Sequence, residues 1–472
     1  MLLSHLLQNV EHSEILRDVN ITSIVSDSSK VTENCVFICI EGDSFDSHSI
    51  ACEMINKGAS AVIAEKETGA YIQVIVDDTK KALALMCSEF YGNPSKKLKL
   101  IGVTGTNGKT STTFMIKEIL ESAGKKTGLL GTVSYMSGGG KTEAGLTTPE
   151  PLLLHKMFKS MVDNGCQYCV MEVSSQALSQ QRCYGIEFEC AVFTNLTVDH
   201  LDYLKTMENY LFAKSILFKQ SKVSVINCDD NYSKYMASAS NGKMVQFSTK
   251  NQNADYYADN INLTKVGCRY TIGDTTVDIS IPGKFSVYNS LGAIACCESL
   301  GIPLEKSVLA LSGFSGIPGR AEVIEADLPY TIIIDYAHSP DALANILVAV
   351  RDISDGRVVA LFGCGGDRDK TKRPLMAKAA TENADYVIIT SDNPRSENPN
   401  DIIEDIIPGI KGSKTSCAII PDRTYAIEYA LKNAKPKDVI VLCGKGHETY
   451  QIIGNKKYYY DEREIIRNYL SK

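Results

Sequence analysis

One stretch decides most of what this chain can fold into: residues 97–112, KLKLIGVTGTNGKTST. Residues 100–103 are a short apolar run, the end of a buried strand. Gly105, Asn107 and Gly108 then turn the backbone, and Lys109, Thr110 and Ser111 open a helix expected to reach Ala123. Free N–H groups and the dipole at a helix N-terminus face an anion, so a strand, a glycine-rich turn and a helix start make a phosphate site. Lys109 would set a point charge between phosphates, and the Thr110 hydroxyl would ligate Mg²⁺. Val103 stands where the Walker pattern wants glycine. An ordinary strand–turn–helix with a surface lysine is the competing reading. Gly-Lys-Thr so close behind an apolar strand favours the phosphate site.

A chain of 472 residues has room for two to four domains. A net charge of −7 without a polybasic block gives no bulk attraction to nucleic acid or anionic membrane. The first residues, MLLSHLLQNVEHSEIL, carry acidic residues and no basic flank, and read as a helix rather than a signal peptide. No apolar run approaches membrane-spanning length, so a soluble cytosolic protein is expected. Among fifteen cysteines, Cys166 and Cys169 have metal-ligand spacing, but no second pair follows. Cys35, Cys39, Cys190 and Cys443 also interrupt apolar runs, so buried, reduced thiols are expected rather than zinc or disulfides.

The pattern predicts an α/β protein of three domains. Residues 1–95 form a small α/β unit with strands at 35–40, 60–65 and 72–76 and a helix at 49–57. Its polar turns, 27–31 and 42–46, read on their own as loops. Residues 98–315 form a central nucleotide domain with a mostly parallel sheet. In it, strands at 168–173 and 190–196 end near Glu172 and near Asp199-His200, along the sheet edge where α/β ligand sites lie. Glu172 and His200 are loop or capping residues on the bland reading and metal ligands on the sharper one, which their place beside a phosphate loop favours. Residues 208–219, ENYLFAKSILFK, are an amphipathic helix with Lys214 in an apolar run, which snorkelling would explain. Residues 254–283 are β-rich, a hairpin excursion before a helix at 283–300. Residues 316–472 repeat strand–loop–helix units, whose strands at 331–334, 358–362, 386–390, 417–420 and 439–443 argue for a Rossmann-like sheet. Their loops, DYAHSP, GCGGDRDK, SDNPRSE, PDR and GKGHE, supply Asp, His, Arg, Lys and Glu to one edge. That suits a charged, multifunctional small molecule.

Taken with LTTPE, MEVSS, FTNL-x-x-DHLDY and KRP, these loops make the sequence resemble the Mur ligase family over essentially its whole length. GVTGTNGKT alone is shared with other amide-forming ligases. The fuller set resembles the branch that adds a third residue to UDP-N-acetylmuramoyl-L-alanyl-D-glutamate in peptidoglycan precursor synthesis. DNPR resembles its members that add meso-2,6-diaminopimelate. L-lysine or another diamino acid, or a folylpolyglutamate-synthase-like reaction, are the alternatives.

The resemblance implies an ATP-dependent, ADP-forming enzyme with two Mg²⁺ ions and ATP as co-substrate. It acts through an acyl phosphate on small-molecule substrates; a cytoplasmic monomer that binds no nucleic acid and does not insert in a membrane is expected. Gly105, Thr106, Asn107, Gly108, Lys109, Thr110 and Ser111 would hold ATP, with Asn289, Arg320, Asp335 and His338. Thr110, Glu172, His200 and Lys214, the last as a CO₂-derived carbamate, would hold metal, and Lys109, Glu172, His200 and Lys214 would carry catalysis. Ser28, in the UDP-sugar-binding domain, and Thr147, Thr148, Ser174, Gln180 and Arg182 match positions for the muramoyl peptide. Arg368, Asp392, Asn393, Pro394, Arg395, Gly444 and Glu448 match the amino-acid pocket. The chain departs from the family at Ser29, Ser47, Gln176 and Ala321, where arginine, glycine, histidine and methionine are usual.

Overall fold

The computed structural model describes residues 1–42, 45–197 and 201–471, with Leu201 and Asp202 in backbone only. The first sheet has four parallel strands in chain order: Ser23–Val25, Cys35–Ile38, Ala59–Ala64 and Gln73–Ile75. Both of its faces are buried, so its strands read as unbroken apolar runs. Val36, Ile38, Ala61 and Ile63 pack with Ala82 and Met86 of the helix Thr79–Phe90. Phe37, Cys39 and Val62 pack on the other face with Ala51 and Met54 of the helix Ala51–Asn56. The expected N-terminal helix is cut short and spans only Leu3–Leu6. Beyond it the chain instead joins the edge strand: Ser13 N–H donates to Ile75 O and Ile75 N–H to Ser13 Oγ, both at 2.9 Å.

The central sheet has nine strands, and its middle places Phe188–Phe193, Lys99–Thr104 and Tyr168–Glu172 side by side and parallel. Their side chains alternate between two cores. Ile101, Val103, Val170 and Val192 face Met115, Ile116 and Leu291, from the helices Lys109–Ser122 and Lys284–Ser299. Leu100, Cys169, Met171 and Phe193 face Leu154, Phe158 and Leu217, from the helices Pro151–Asp163 and Met207–Lys219. The β-rich excursion is a separate antiparallel sheet of Asp259–Leu263, Cys268–Ile272 and Thr275–Ile279.

In the six-stranded C-terminal sheet, Val439–Cys443 inserts between Thr331–Asp335 and Val358–Phe362, followed by Tyr386–Ile389 and Ser416–Ile419. These five are parallel; a short antiparallel strand, Glu322–Val323, closes the edge. The insertion gathers the loops after residues 335, 443, 362 and 389 at one sheet edge, where such sheets bind ligands. Beneath them Arg423, fully buried, pairs with Glu462 at 2.8 Å and donates to Ser391 O and Cys443 O. The Glu462 carboxylate beside it holds this guanidinium charged more firmly than usual against the pull of burial. Arg423→Met would strand a buried carboxylate and two carbonyls, destabilising this sheet by about 3–5 kcal/mol. Calorimetry should show an earlier transition, partly restored in Arg423→Met/Glu462→Gln.

Among the described residues no helix is long and apolar enough to cross a membrane.

Candidate functional site

The three middle strands of the central sheet end at Thr104, Glu172 and Phe193, so the chain segments that follow them meet. Gly108 starts the helix Lys109–Ser122 in a left-handed conformation, φ 85°, and a Cβ there would lie 2.4 Å from Asn289 Oδ1. Only glycine fits both the turn and that close approach. Asn289 is thus packed against the loop. Asn107 N–H donates to Asn195 Oδ1 at 3.0 Å, and Thr194 Oγ1 donates to Asn107 O at 2.6 Å. Lys109 folds over the loop, donating to Gly105 O at 2.9 Å and Thr106 O at 2.8 Å.

Lys214 does not snorkel. It is 1 % exposed, donates to Gly105 O at 2.8 Å, and lies 4.5 Å over the ring of Tyr210. The Tyr210 hydroxyl meets Thr106 Oγ1 at 3.1 Å. His200 and Asp199 lie outside the described residues, as do Asp43 and Ser44 of the 42–46 turn.

Glu172 is buried at the next strand end, where its carboxylate accepts Thr132 N–H at 2.8 Å and Thr132 Oγ1 at 3.1 Å. A Cβ at Gly131 would come within 2.3 Å of Glu172 Oε1, so glycine keeps this cradle open. Thr147 Oγ1 meets Thr132 Oγ1 at 3.1 Å; Thr148 Oγ1 donates to Glu172 O and accepts Ser174 N–H. Arg182 donates to Thr148 O at 2.9 Å and to Gln180 Oε1 at 2.6 Å. Thr147, Thr148, Ser174, Gln180 and Arg182 are therefore one connected group around Glu172. Ser28 stands apart, in the short 3-10 turn that Asp27 caps through Ser29 N–H; among the described residues no hydrogen bond links it to that group.

The C-terminal sheet reaches this edge directly. Arg320 Nη2 donates to Thr110 Oγ1 at 3.1 Å and its guanidinium lies 4.7 Å over the Tyr336 ring. Asp341 accepts Asn107 Nδ2 at 3.0 Å and Thr197 Oγ1 at 2.7 Å. Asp335 accepts the N–H groups of Ala321 and Ala337; burial pushes its carboxyl pKa up, against the pull of Arg320. His338 is exposed, with Nδ1 2.8 Å from Tyr336 O. His447, stacked on Tyr336 at 4.9 Å, has its pKa lowered to about 4, first by burial and then by Arg320, so it is neutral near pH 7.

Asp392, Asn393 and Glu448 converge on a residue that motif reading passed over. Lys445, fully buried, donates to Glu448 Oε2 at 2.9 Å and Asn393 Oδ1 at 3.0 Å, with Asp392 Oδ1 at 3.4 Å. Gly444, φ 112°, brings its backbone near Asp392 Oδ2. Pro394 leads into Arg395, and a Cβ at Gly365 would lie 2.9 Å from Arg395 Nη1 and 3.7 Å from Arg368 Cγ, so both arginines flank Gly365. Arg368 itself is exposed. Arg373, also unanticipated, is fully buried and ties the two loops together. It grips Glu397 with two bonds at 2.8 and 2.9 Å, then Asp405 and Gly365 O. GKGHE, KRP and PDR contain Lys445, Arg373 and Arg423, so each motif was visible while the buried cation in it was not.

Those bonds from Arg373, with Asp367 N–H, hold the Glu397 carboxyl down from 4.5 to about 2. A depressed folded-state pKa stabilises above the unfolded value and ceases to as pH falls through the folded one. The stability advantage of wild type over Glu397→Gln should therefore be full above about pH 4.5 and vanish toward pH 2. Chemical unfolding of both proteins across that range measures it.

Parallel α/β sheets, a glycine-rich loop at a helix start beside a buried carboxylate and a second sheet edge rich in charged loops make an architecture suited to a nucleotide-using enzyme. The chain belongs to the Mur ligase family. It matches the Mur ligase middle domain over residues 103–297 and the Mur ligase, glutamate ligase domain over residues 319–446. It is 46% identical to the UDP-N-acetylmuramoyl-L-alanyl-D-glutamate–2,6-diaminopimelate ligase 1 of Clostridium acetobutylicum, covering 100% of each chain. A solved structure of a UDP-N-acetylmuramoyl-L-alanyl-D-glutamate–2,6-diaminopimelate ligase superposes with TM-score 0.69 at 32% identity, covering 96% of this chain and 95% of that one. The Thermotoga maritima MurF ligase, solved with ADP, shares the fold: TM-score 0.61 at 20% identity over 89% of this chain and 93% of its own.

Proposed function

We propose that this chain is an ATP-dependent, ADP-forming amide ligase that joins meso-2,6-diaminopimelate to UDP-N-acetylmuramoyl-L-alanyl-D-glutamate. The observation that carries this reading is the direct contact between the phosphate loop and the C-terminal sheet edge, through Arg320–Thr110 and Asn107–Asp341. That contact brings a loop suited to phosphate beside an edge whose charged loops suit an amino acid, which supports the reading.

A carboxylate is a poor electrophile because its leaving group would be oxide. Transfer of the ATP γ-phosphoryl group to the D-glutamyl side-chain carboxylate gives an acyl phosphate, and the neutral amine of the diamino acid displaces phosphate from it. Bringing two anions together calls for charge neutralisation and positioning more than covalent help. Lys109 and the loop N–H groups cradle the phosphates of ATP, with Asn289, Asp335 and His338 beside the nucleotide. Arg320 adds positive charge from the C-terminal side.

Thr110, in the first turn of the helix that follows one strand, and Glu172, at the end of the neighbouring strand, are hard oxygen donors, and Gly131 leaves space at the carboxylate, so the residues fit Mg²⁺. With His200 and a carbamate on Lys214 as ligands to a second ion, Mg²⁺ would neutralise charge building on the transferring phosphoryl group. Thr147, Thr148, Ser174, Gln180 and Arg182 hold the muramoyl peptide, and the domain of residues 1–95, through Ser28, holds its uridine end. The domains of residues 98–315 and 316–472 carry ATP and the amino acid. The enzyme works in the cytoplasm as a monomer on small molecules.

The test is ADP release by the purified protein. Turnover should require the muramoyl dipeptide and a diamino acid together, and mass spectrometry should find the tripeptide. Turnover on a folate substrate, or ATP hydrolysis indifferent to both substrates, would overturn the reading.

A further inference from the structure

The amino-acid pocket holds a buried cation whose three hydrogens are all directed at other pocket groups. Lys445 reaches Glu448 Oε2, Asn393 Oδ1 and Asp392 Oδ1 and is fully enclosed. An ammonium has three donors and no acceptor, so it has none left for a ligand. Its effect on its neighbours is directional. Asn393 Oδ1 also accepts Ile452 N–H at 2.9 Å, and two donors on that oxygen settle which way the amide faces. The Asn393 NH₂ group then points to Glu448 Oε2, also at 2.9 Å. With Lys445 and Asn393 both on Oε2, Glu448 presents Oε1 as the oxygen left for an incoming group.

Charge points the same way. Asp392 and Glu448 bring two carboxylates to the one ammonium of Lys445, so the Glu448 oxygen left over is an acceptor suited to a cation. Arg395 follows two residues after Asn393, whose amide holds Glu448, so an acceptor for an ammonium and a donor for a carboxylate come from the same pair of loops. That pair suits an amino acid.

We propose that Lys445 is a positioning residue for amino-acid selection: it fixes the Asn393 amide and one Glu448 oxygen so that the other receives the ligand's ammonium. The proposal rests on the function proposed above and adds a residue that touches no substrate. Lys445 would act on the KM for the diamino acid and leave the two other substrates alone. A merely structural lysine would move all three KM values and kcat together.

The experiment compares wild type, Lys445→Met, Glu448→Gln and Lys445→Met/Glu448→Gln by steady-state kinetics, with the KM of each substrate measured separately. Loss of one partner from a buried charge pair should raise the KM for meso-diaminopimelate about 30-fold or more in Lys445→Met. The KM for ATP and for the muramoyl dipeptide should stay within about threefold. Because Lys445 acts through Glu448, the double variant should be no worse than Glu448→Gln alone. An unchanged KM for the diamino acid, a parallel rise for all three substrates, or multiplying effects in the double variant would overturn the proposal. Should Lys445→Met fail to fold, the double variant, which strands no Glu448 charge, decides against Glu448→Gln by the same equality. A wild type that joins no diamino acid to the dipeptide would overturn the underlying function, a result distinct from any of these.

Discussion

Lys214→Ala should lower turnover by about 10²–10³-fold, the scale for losing one preorganised electrostatic group at a reacting centre. Acetate or formate should restore part of it. The lysine is shut away from water, its ammonium 2.8 Å from Gly105 O and 4.5 Å over the Tyr210 ring. Lys109 donates to the same carbonyl, so two lysines crowd one side of the phosphate loop. A second fixed cation there adds little that Lys109 does not supply. An amine combines with CO₂ through its neutral form, and an enclosed site shields the carbamate from water once it has formed. The ammonium first gives up a proton, the neutral nitrogen bonds to the carbon of CO₂ and loses a second, and a carbamate carboxylate stands where an ammonium stood, a hard oxygen ligand. A small carboxylate diffusing into the space vacated by Lys214→Ala would replace it in part. Full wild-type activity in CO₂-free buffer, with a crystal structure showing an unmodified Lys214, would defeat the idea. So would a variant that no carboxylate rescues.

What was legible in the sequence follows the physics of the elements. Parallel strands buried on both faces leave long apolar runs, so 358–362 and 439–443 were readable to the residue, and the loops after them could be assigned to one edge. Gly-rich turns announce themselves because few other residues fit them. Tertiary pairing left less trace. Nothing local tells that residues 8–16 leave the helix to join the strand at Ile75, since backbone hydrogen bonds to a distant edge are indifferent to side chains. Arg373, Arg423 and Lys445 look like surface cations in charged loops. Their burial depends on partners as distant in sequence as Asp405, Glu462 and Asp392. Two departures from the family pattern become intelligible only in three dimensions. Ser47 Oγ accepts Ile40 N–H and donates to Ile40 O, bracing the turn, and Ala321 takes a left-handed φ of 47° held by its N–H bond to Asp335. Nothing in the structure explains Gln176.

Arg395 should decide which diamino acid is used. L-lysine and meso-diaminopimelate differ by one carboxylate at the far end of the chain, and a guanidinium can hold a carboxylate through two parallel hydrogen bonds. The bland roles for this arginine are already filled by others. Glu397 belongs to Arg373, and the helix Pro399–Ile406 is capped by Asn398. Arg395 sits instead in a left-handed conformation, φ 50°, a strain of about 1–3 kcal/mol for a residue with a side chain. Its N–H donates to Ile452 O and its carbonyl accepts Gly454 N–H, so the hairpin of Tyr450–Ile453 and Lys456–Tyr459 holds it there. Nη1 donates to Gly366 O at 2.8 Å, leaving Nε and Nη2 without partners among the described residues. With lysine bound those donors would stay unpaired and desolvated, at a cost of about 1–3 kcal/mol, and the missing charge-assisted contact adds a comparable amount. A site built for a polar group rejects the analogue lacking it, so kcat/KM for diaminopimelate should exceed that for lysine by about 10²–10⁴. Arg395→Ala should lose most of that ratio, chiefly by losing diaminopimelate activity, with Arg368 across Gly365 retaining some. The measurement is kcat/KM for both amino acids in both proteins. A wild type that prefers lysine would sink the specificity, and a ratio unchanged in Arg395→Ala would acquit this arginine of causing it.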